Sequence, residues 1–275
     1  MLWKLRSISE ADLSAASCSD LPKGFTAGAV YVGVKSRKTQ KPDVAVLYSE
    51  TEASCAAVFT TNKFCAAPVI LDREILKNGK SGLSQTNLED ISYALNIVKF
   101  FDTPACAVMK HVNPSGAAVG RPGESLLSVY LKARDADARA AFGSSIAFNR
   151  EVDADTAREI MSTFVECVVA PGFAPGVLDI FNDGETYKLN RHIRIIRCGD
   201  LSRLPRFVGE AKPEHNTIKV LGDGSLVVAQ PLMTSLRSID DLVPAEAENK
   251  RCGHQVSAVA ATEEQKRDLL FAWYV

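Results

Sequence analysis

Hydrophobic and polar residues follow two different patterns along this chain. Between residues 23 and 70, short apolar segments at 28–34, 44–48 and 56–60 are separated by polar clusters. Short apolar runs of this kind predict β-strands. Beyond the sequence Asn-Gly-Lys-Ser-Gly at 78–82, which is typical of a loop, apolar residues at helical spacing alternate with short apolar runs. We therefore expect a loosely organised start at 1–22, a β-rich segment at 23–75 and an α/β domain at 76–275.

The α/β pattern begins with a helix after Thr86. Thr86 and Glu89 have the spacing of a capping box, which marks the start of a helix. The apolar residues that recur at the helical period are Leu88, Ile91, Leu95 and Val98. We expect this helix to end near Phe101, because Pro104 disfavours helical backbone in the residue before it.

Strands and further helices follow in alternation. Apolar runs predict buried strands at 105–109, 144–148, 168–170 and 193–196, and amphipathic stretches predict helices at 124–137 and 153–164. Asn113-Pro114-Ser115-Gly116 has the composition of a turn. A hairpin is predicted around the Gly-Asp-Gly at 222–224, and a last helix after the capping box that starts at Thr262. Strands alternating with helices predict an α/β layered fold with a mixed sheet.

Composition restricts the classes of partner. The chain has 275 residues and a formal net charge of −1, so no long-range field attracts nucleic acid or an anionic membrane. No apolar run approaches the roughly 18 residues of a membrane span. The seven cysteines are widely spaced, as expected for free thiols in a reducing cytosol. These observations predict a cytoplasmic protein that binds neither nucleic acid nor a membrane.

Known metal and cofactor motifs are missing from the sequence. The four histidines lie at no ligand spacing from a second histidine or a cysteine, so we expect no metal site. The glycine-rich dinucleotide motif, the P-loop, the serine-hydrolase elbow and the zinc-deaminase motif are also absent. The sequence therefore gives no support to these four kinds of chemistry.

Lys110 and His111 are the first candidates for chemistry. They follow the strand predicted at 105–109, and ligands of open α/β sheets bind beyond the carboxyl ends of strands. A cation and an imidazole in such a place can hold an anion and move a proton. A solvated lysine beside a structural histidine gives the same pattern, so both interpretations stay open.

Three more residues are candidates for contacts with a ligand. Gly143 lies at a corner between a helix and a strand, where a glycine lets backbone N–H groups approach a ligand. Glu166, at the end of an amphipathic helix, has a carboxylate that can accept hydrogen bonds from ribose hydroxyls. Asn87 lies in the first turn of the first helix. Each has a structural alternative: a tight turn, a solvated helix end and a helix cap.

Five motifs, in order, resemble the transformylase domain of the bifunctional enzyme of purine biosynthesis. The first two are Ser84-Gln85-Thr86-Asn87-Leu88-Glu89-Asp90 and Lys110-His111-Val112-Asn113-Pro114-Ser115-Gly116. The other three lie at 141–150, 164–173 and 268–275. The resemblance covers about residues 72–275, which correspond to the first half of that domain.

The resemblance implies a fold, a reaction and roles for individual residues. It implies a three-layer α/β/α sandwich similar to cytidine deaminase without the zinc, and a homodimer. The reaction is formyl transfer from the co-substrate 10-formyltetrahydrofolate to the amine of aminoimidazole carboxamide ribonucleotide (AICAR), without a metal. His111 handles the proton of the attacking amine, and Lys110 stabilises the developing negative charge or helps the folate nitrogen to leave. The residues implied in substrate binding are Asn87, Asn113, Gly143 and Glu166.

A second resemblance leaves alternatives open. Residues 22–70 resemble the N-terminus of ornithine acetyltransferase, although the nucleophile of that family is not found in this sequence. An Arg-Tyr-Gly stretch that the transformylase has ahead of the Asn87 motif is missing too, and we expect the domain to be truncated at its C-terminus. The alternatives to formyl transfer are therefore a non-catalytic remnant that binds a nucleotide or a partner, and acetyl transfer to glutamate or ornithine.

Overall fold

The computed structural model describes most of the chain beyond residue 74. The described residues are 7–8, 29–35, 42–48, 58–60, 63–65, 74–80, 82–211, 217–220, 226–229, 231–257 and 259–275. They fall into two compact units. The first takes its described residues from Met1–Glu74, Cys198–Pro205 and Gly209–Met233, and the second takes them from Ile75–Arg197, Arg206–Val208 and Thr234–Val275.

The secondary structure alternates between strands and helices from residue 74 onward. In chain order the strands are β1 (Ser7–Ile8), β2 (Ala29–Lys35), β3 (Pro42–Tyr48), β4 (Val58–Thr60), β5 (Lys63–Cys65), β6 (Glu74–Asn78), β7 (Ala105–Lys110), β8 (Asn113–Val119), β9 (Ser144–Phe148), β10 (Val165–Ala170), β11 (Arg194–Arg197), β12 (Thr217–Val220), β13 (Leu226–Ala229), β14 (Glu246–Asn249) and β15 (Gly253–Val256). The α-helices are α1 (Gln85–Val98), α2 (Leu126–Ala136), α3 (Ala154–Met161), α4 (Val177–Asn182) and α5 (Glu263–Tyr274). Short 3₁₀ turns lie at Lys188–Asn190, Leu201–Arg203 and Ile239–Asp241.

The first unit is built from antiparallel strands. β1, β3 and β2 form a sheet in that order, and β4 pairs with β5. β12 and β13 form the hairpin that the sequence predicts around residues 222–224, while the turn itself lies outside the described residues. The β-rich character predicted for the N-terminal segment is therefore confirmed where its backbone is described, and the predicted loose start at 1–22 lies outside it except for Ser7 and Ile8.

The second unit is built on a six-stranded mixed sheet. The strand order is β6-β11-β10-β9-β7-β8. β9, β10 and β11 run parallel, whereas β7 is antiparallel to both of its neighbours, β8 and β9. The predicted α/β class with a mixed sheet is thus confirmed. The closer likeness to cytidine deaminase stays a prediction.

Helices cover both faces of this sheet. On one face, Val108, Ile146 and Val168 of three adjacent strands belong to a core that also contains apolar residues of α2, α3 and α4. Side chains alternate between the two faces of a strand, so Ala107 and Met109 point the other way, toward α1. The buried face of α1 consists of Asn87, Asp90, Ile91, Ala94, Leu95, Ile97 and Val98. Complete burial of each large aliphatic side chain stabilises the fold by roughly 1.5–3 kcal/mol.

The cysteines of this core behave as apolar residues. Cys106 and Cys167 are both buried, as their apolar surroundings in the sequence predict. Burial raises the pKa of the Cys106 thiol well above its ordinary value. Within the described residues, no helix is both long enough and apolar enough to cross a membrane.

Candidate functional site

Lys110 and His111 lie at the tip of a β-hairpin. Lys110 ends β7 and pairs with Asn113 at the start of β8, so His111 and Val112 are the only two residues of the connecting loop. Their φ angles are +54° and +65°. The turn predicted at Asn113-Pro114-Ser115-Gly116 is therefore wrong, because these residues belong to β8.

The residues at 113–116 suit an edge strand with a bulge. β8 is at the edge of the described sheet, where a proline removes no hydrogen bond from a further strand. The register shifts between Val108 and Met109, which leaves Ser115 as an extra residue in β8. The Ser115 hydroxyl donates to the carbonyl of Val108 at 3.1 Å. Residues that are typical of a turn thus form a bulged edge strand.

Lys110 reaches the loop that precedes β9. Its ammonium donates to the carbonyl of Phe142 at 2.7 Å. The next residue, Gly143, has φ +75°, and its N–H donates to the carbonyl of Phe164 at 2.8 Å. Gly143 therefore lies at a corner before a strand, as the sequence predicts, and this corner contacts both the hairpin and the start of β10.

Asn87 and Glu166 are hydrogen-bonded to each other. The side-chain amide of Asn87 donates to Glu166 Oε2 at 3.0 Å. Asn87 also completes the cap of α1, because its Oδ1 accepts from the N–H of Ser84 at 3.2 Å. Ser84 is the N-cap, with its hydroxyl accepting from the N–H of Asn87. The N-cap predicted at Thr86 is therefore wrong by two residues. The structural alternative for Asn87, that it is a helix-cap residue, is correct, and Asn87 also contacts Glu166.

Glu166 lies within β10 and not at a helix end, which corrects the predicted position. It is the second residue of the strand, at a shift in register between Val165 and Cys167. Arg194 Nη1 lies 4.0 Å from Glu166 Oε2, and Arg194 Nε donates to the carbonyl of Gly82 at 2.6 Å. The carboxylate thus has an amide donor on one side and a guanidinium nearby.

Hydrogen bonds connect these residues along one end of the sheet, where β7 stops and where β9 and β10 begin. The N–H of Val112 donates to Asp90 of α1 at 2.7 Å, and the same helix contacts Glu166 through Asn87. The Phe142–Gly143 corner contacts Lys110 on one side and Phe164 on the other. We call this edge, with Asn87, Lys110, His111, Gly143 and Glu166, the hairpin edge.

Asn113, the remaining predicted ligand residue, lies next to the hairpin tip. It is exposed, and its side-chain amide donates to the carbonyl of His111 at 3.0 Å. Its side-chain oxygen keeps the capacity to accept hydrogen bonds from a ligand.

The direction of the strands differs from the expectation for an open parallel sheet. The hairpin edge contains the carboxyl end of β7, but β7 is antiparallel to β9, so this edge contains the starts of β9, β10 and β11. The hydroxyls of Ser144 and Ser145 at the start of β9 are buried, and neither has a hydrogen-bond partner among the described residues. Buried hydroxyls nearly always have a hydrogen-bond partner, so each of these two hydroxyls can still form a hydrogen bond.

Sequence reasoning missed Asp90 and Arg194. Asp90 stands in the first motif and could have been singled out as an acidic residue on the apolar face of a helix. Arg194 stands in an apolar run with no local signal. Among the described residues, no cluster of His, Cys, Asp and Glu has the arrangement of a metal site. The hairpin edge offers a cation, an imidazole and an amide–carboxylate pair, which suit proton transfer and the binding of a polar, anionic molecule.

Comparison with known proteins identifies a related family. The family model described as the AICARFT/IMPCHase bienzyme matches residues 33–275. A bifunctional purine biosynthesis protein PurH from Sorangium cellulosum is 34% identical over 228 residues, which are 83% of this chain and 38% of the relative. Proteins of the same name from Nostoc punctiforme and Microcystis aeruginosa are 34% and 36% identical over 70% and 73% of this chain. These two matches cover 32% and 33% of the relatives, so the chain spans about a third of the length of the curated relatives it matches.

Proposed function

The chain belongs to the AICARFT/IMPCHase bienzyme family, and from that premise we propose that it acts in purine biosynthesis as a formyltransferase. The formyl donor is 10-formyltetrahydrofolate and the acceptor is the amine of AICAR. The proposal rests on the transformylase motifs of this chain rather than on the second activity in the family's name. The match from residue 33 takes in most of the segment that resembles ornithine acetyltransferase, and that second resemblance stays a prediction.

One observation carries the proposal: Lys110 and His111 lie on a two-residue loop that is held against α1 and the Gly143 corner. Lys110 is anchored to the Phe142 carbonyl and His111 is exposed. An ammonium has three N–H donors, so Lys110 keeps two for an incoming oxygen. An exposed imidazole can move the proton of the attacking amine, and an adjacent cation can stabilise the negative charge that forms on the formyl oxygen.

In the proposed mechanism, the amine nitrogen of AICAR attacks the formyl carbon of the folate. His111 removes the proton of the amine as the new nitrogen–carbon bond forms, because an amine conjugated to an imidazole carboxamide is a weak nucleophile. Lys110 stabilises the negative charge on the formyl oxygen of the tetrahedral intermediate. The bond from the formyl carbon to N10 of the folate then breaks, and the proton held by His111 passes to that nitrogen.

The remaining residues of the hairpin edge are proposed to hold the nucleotide. The oxygens of Glu166 accept hydrogen bonds from ribose hydroxyls, and Asn87 orients the carboxylate through the bond it donates to Oε2. Gly143 allows the backbone of the corner to approach the ligand closely, since it has no side chain. Asn113 contributes the side-chain oxygen that its bond to His111 leaves available.

A formyl-transfer assay on the purified chain tests the proposal. We expect His111→Ala to slow transfer by about 10²–10⁴-fold, the usual contribution of general acid–base catalysis. His254→Ala is the matched control, because His254 is an exposed histidine in the separate hairpin of β14 and β15 and should leave the rate unchanged.

Equal rates for the wild type and His111→Ala would reject the proposed role of His111. If the wild-type chain shows no turnover but calorimetry detects binding of AICAR, the chain is a binding module, and the formyltransferase proposal fails for it. The homodimer implied by the resemblance is also a proposal. It is tested by light scattering of the purified chain, where a single monomer mass at micromolar concentration would contradict it.

A further inference from the structure

The peptide bond between His111 and Val112 is held from both sides by side chains. Its carbonyl accepts from the Asn113 side-chain amide at 3.0 Å, and its N–H donates to Asp90 Oδ1 at 2.7 Å. Hydrogen bonds at both ends of one peptide unit fix the orientation of its plane. We propose that Asp90 is a positioning residue that holds this turn in a strained conformation and thereby orients the His111 side chain.

The sequence of the turn is unsuited to its conformation. A two-residue hairpin loop with positive φ at both positions has the φ pattern of a type I′ turn, in which Asn-Gly and similar pairs are strongly preferred. Here a histidine and a valine occupy those positions, with φ +54° and +65°. Positive φ is most costly for a β-branched residue such as valine. Such a conformation persists only where the surrounding structure imposes it.

Asp90 is the group that imposes it from outside the hairpin. It lies on α1, its side chain is buried with 4% exposure, and 22 residues separate it from Val112. Charge-assisted hydrogen bonds to a carboxylate are stronger than neutral ones, and the 2.7 Å distance is short for an N–H donor. The bond therefore favours the backbone orientation in which the N–H of Val112 points at α1.

Helix α1 also connects the two halves of the hairpin edge. Asp90 follows Asn87 by three residues, so both lie on one face of the helix. Asn87 contacts Glu166 while Asp90 contacts the hairpin tip. Through these two contacts the helix links the turn that contains His111 to the carboxylate of Glu166.

Loss of the Asp90 contact should release the turn. His111 and Val112 would then sample negative φ, and the direction of the His111 Cα–Cβ bond would change with the backbone. Misplacement of a catalytic group by about 1 Å can cost on the order of 10²-fold in rate. This inference rests on the proposed function only for the chemical role of His111, and the restraint on the turn does not depend on it.

NMR spectroscopy of the full chain measures the restraint directly. In Asp90→Ala we expect the Val112 amide to exchange with solvent about tenfold faster, as expected for the loss of one hydrogen bond. We also expect the three-bond couplings that report the φ angle of His111 to change from the value of one conformation to an average. Asp90→Asn keeps an acceptor oxygen and should retain most of the protection. Glu89→Ala, an exposed carboxylate on the same helix, is the control.

A rescue experiment separates positioning from general damage. Glycine adopts positive φ without strain, so Val112→Gly should restore the wild-type φ couplings of His111 in the Asp90→Ala background although the acceptor is still missing. Unchanged Val112 exchange or unchanged His111 couplings in Asp90→Ala would overturn the inference. If both change in Asp90→Ala and Val112→Gly does not restore the His111 couplings, the effect is a general loss of structure and the inference is overturned as well.

Kinetics distinguish this inference from the proposed function. If the chain transfers formyl groups, Asp90→Ala should lower kcat about tenfold or more and leave KM for the nucleotide within about twofold, since the loss concerns the orientation of a group that moves a proton. If the wild-type chain shows no transfer while the NMR results hold, the positioning of His111 stands and the proposed reaction fails. Normal kcat in Asp90→Ala would refute the positioning role.

Discussion

Gly116 and Gly143 stand in the motifs of the candidate site for two different physical reasons. Gly116 has α2 directly against its backbone: a Cβ there would lie 1.9 Å from the carbonyl oxygen of Ala133. Gly143 has φ +75°, and a Cβ there would lie 3.3 Å from the ring of Phe164. The first glycine allows a helix to pack closely on an edge strand, whereas the second allows the chain to turn before β9.

The conformation of Gly143 leads to a prediction about stability. We expect Gly143→Ala to destabilise the second unit by about 2 kcal/mol, because left-handed backbone costs a non-glycine residue about 1–2 kcal/mol and the Phe164 ring must also shift. Gly123→Ala is the matched control, since Gly123 has φ +82° with no atom within 4 Å of the added Cβ. Urea denaturation measures both. Equal losses in the two variants would show that Phe164 imposes no restriction on Gly143.

Individual site residues differ in how far the sequence could reveal them. Lys110 and His111 were predictable because they directly follow an apolar run that forms a buried strand. Asp90 could have been noticed as an acidic residue on the apolar face of a helix, but its contact could not be predicted, because the N–H donor lies 22 residues away. Arg194 binds the carbonyl of Gly82, 112 residues away. Local patterns carry no information about which distant segments become neighbours.

At the scale of elements, the segment after β7 shows how tertiary structure can override turn propensity. Asn, Pro, Ser and Gly are the residues that favour turns, yet Asn113–Val119 is a strand and the turn falls on His111 and Val112. Pairing with β7, the bulge at Ser115 and the contact of Gly116 with α2 all require β8 to start at Asn113. The propensity rule failed at the place where the candidate site lies, which is where local rules are most often broken.

The start of α1 gives a prediction at the same scale. Ser84 and Asn87 form its capping box, so we expect Ser84→Ala to reduce stability by about 1 kcal/mol, the usual cost of losing an N-cap side chain. Thr86→Ala should change stability by no more than a few tenths of a kcal/mol, since an exposed helical position is affected mainly by propensity. Thermal denaturation of the two variants decides between the caps. A larger loss of stability in Thr86→Ala than in Ser84→Ala would instead support Thr86 as the N-cap, as inferred from the sequence.

At the scale of the second unit, the mixed sheet determines where the candidate site lies. Strands and helices could be predicted from periodicity, but the direction of each strand could not. β7 is antiparallel to β9, so Lys110 at the end of one strand meets the Gly143 corner at the start of the other. The hairpin edge therefore lies at the starts of the parallel strands, opposite to the expectation for a purely parallel sheet.

The residues that directly follow α1 pack against the last helix of the chain. The rings of Phe100 and Tyr274 are stacked with centroids 4.3 Å apart, and Phe101 contacts Phe271 at 5.6 Å. The Tyr274 hydroxyl donates to the carbonyl of Leu236 at 2.9 Å. α5 begins at the capping box predicted from Thr262. These contacts lie at the carboxyl end of α1, whereas Asn87 and Asp90 lie in its first two turns.

This separation predicts that α5 contributes to stability without shaping the hairpin edge. We expect Tyr274→Ala to lower the free energy of unfolding by about 2–3 kcal/mol, from the lost ring stacking, the lost hydrogen bond and the reduced burial. Leu269→Ala on the exposed side of the same helix should change it by less than about 0.5 kcal/mol. Under conditions where both variants are folded, the Val112 amide and the His111 couplings should keep their wild-type values, because the bond to Asp90 is intact. Changes at Val112 in Tyr274→Ala would show instead that α1 transmits the packing at its carboxyl end to the candidate site.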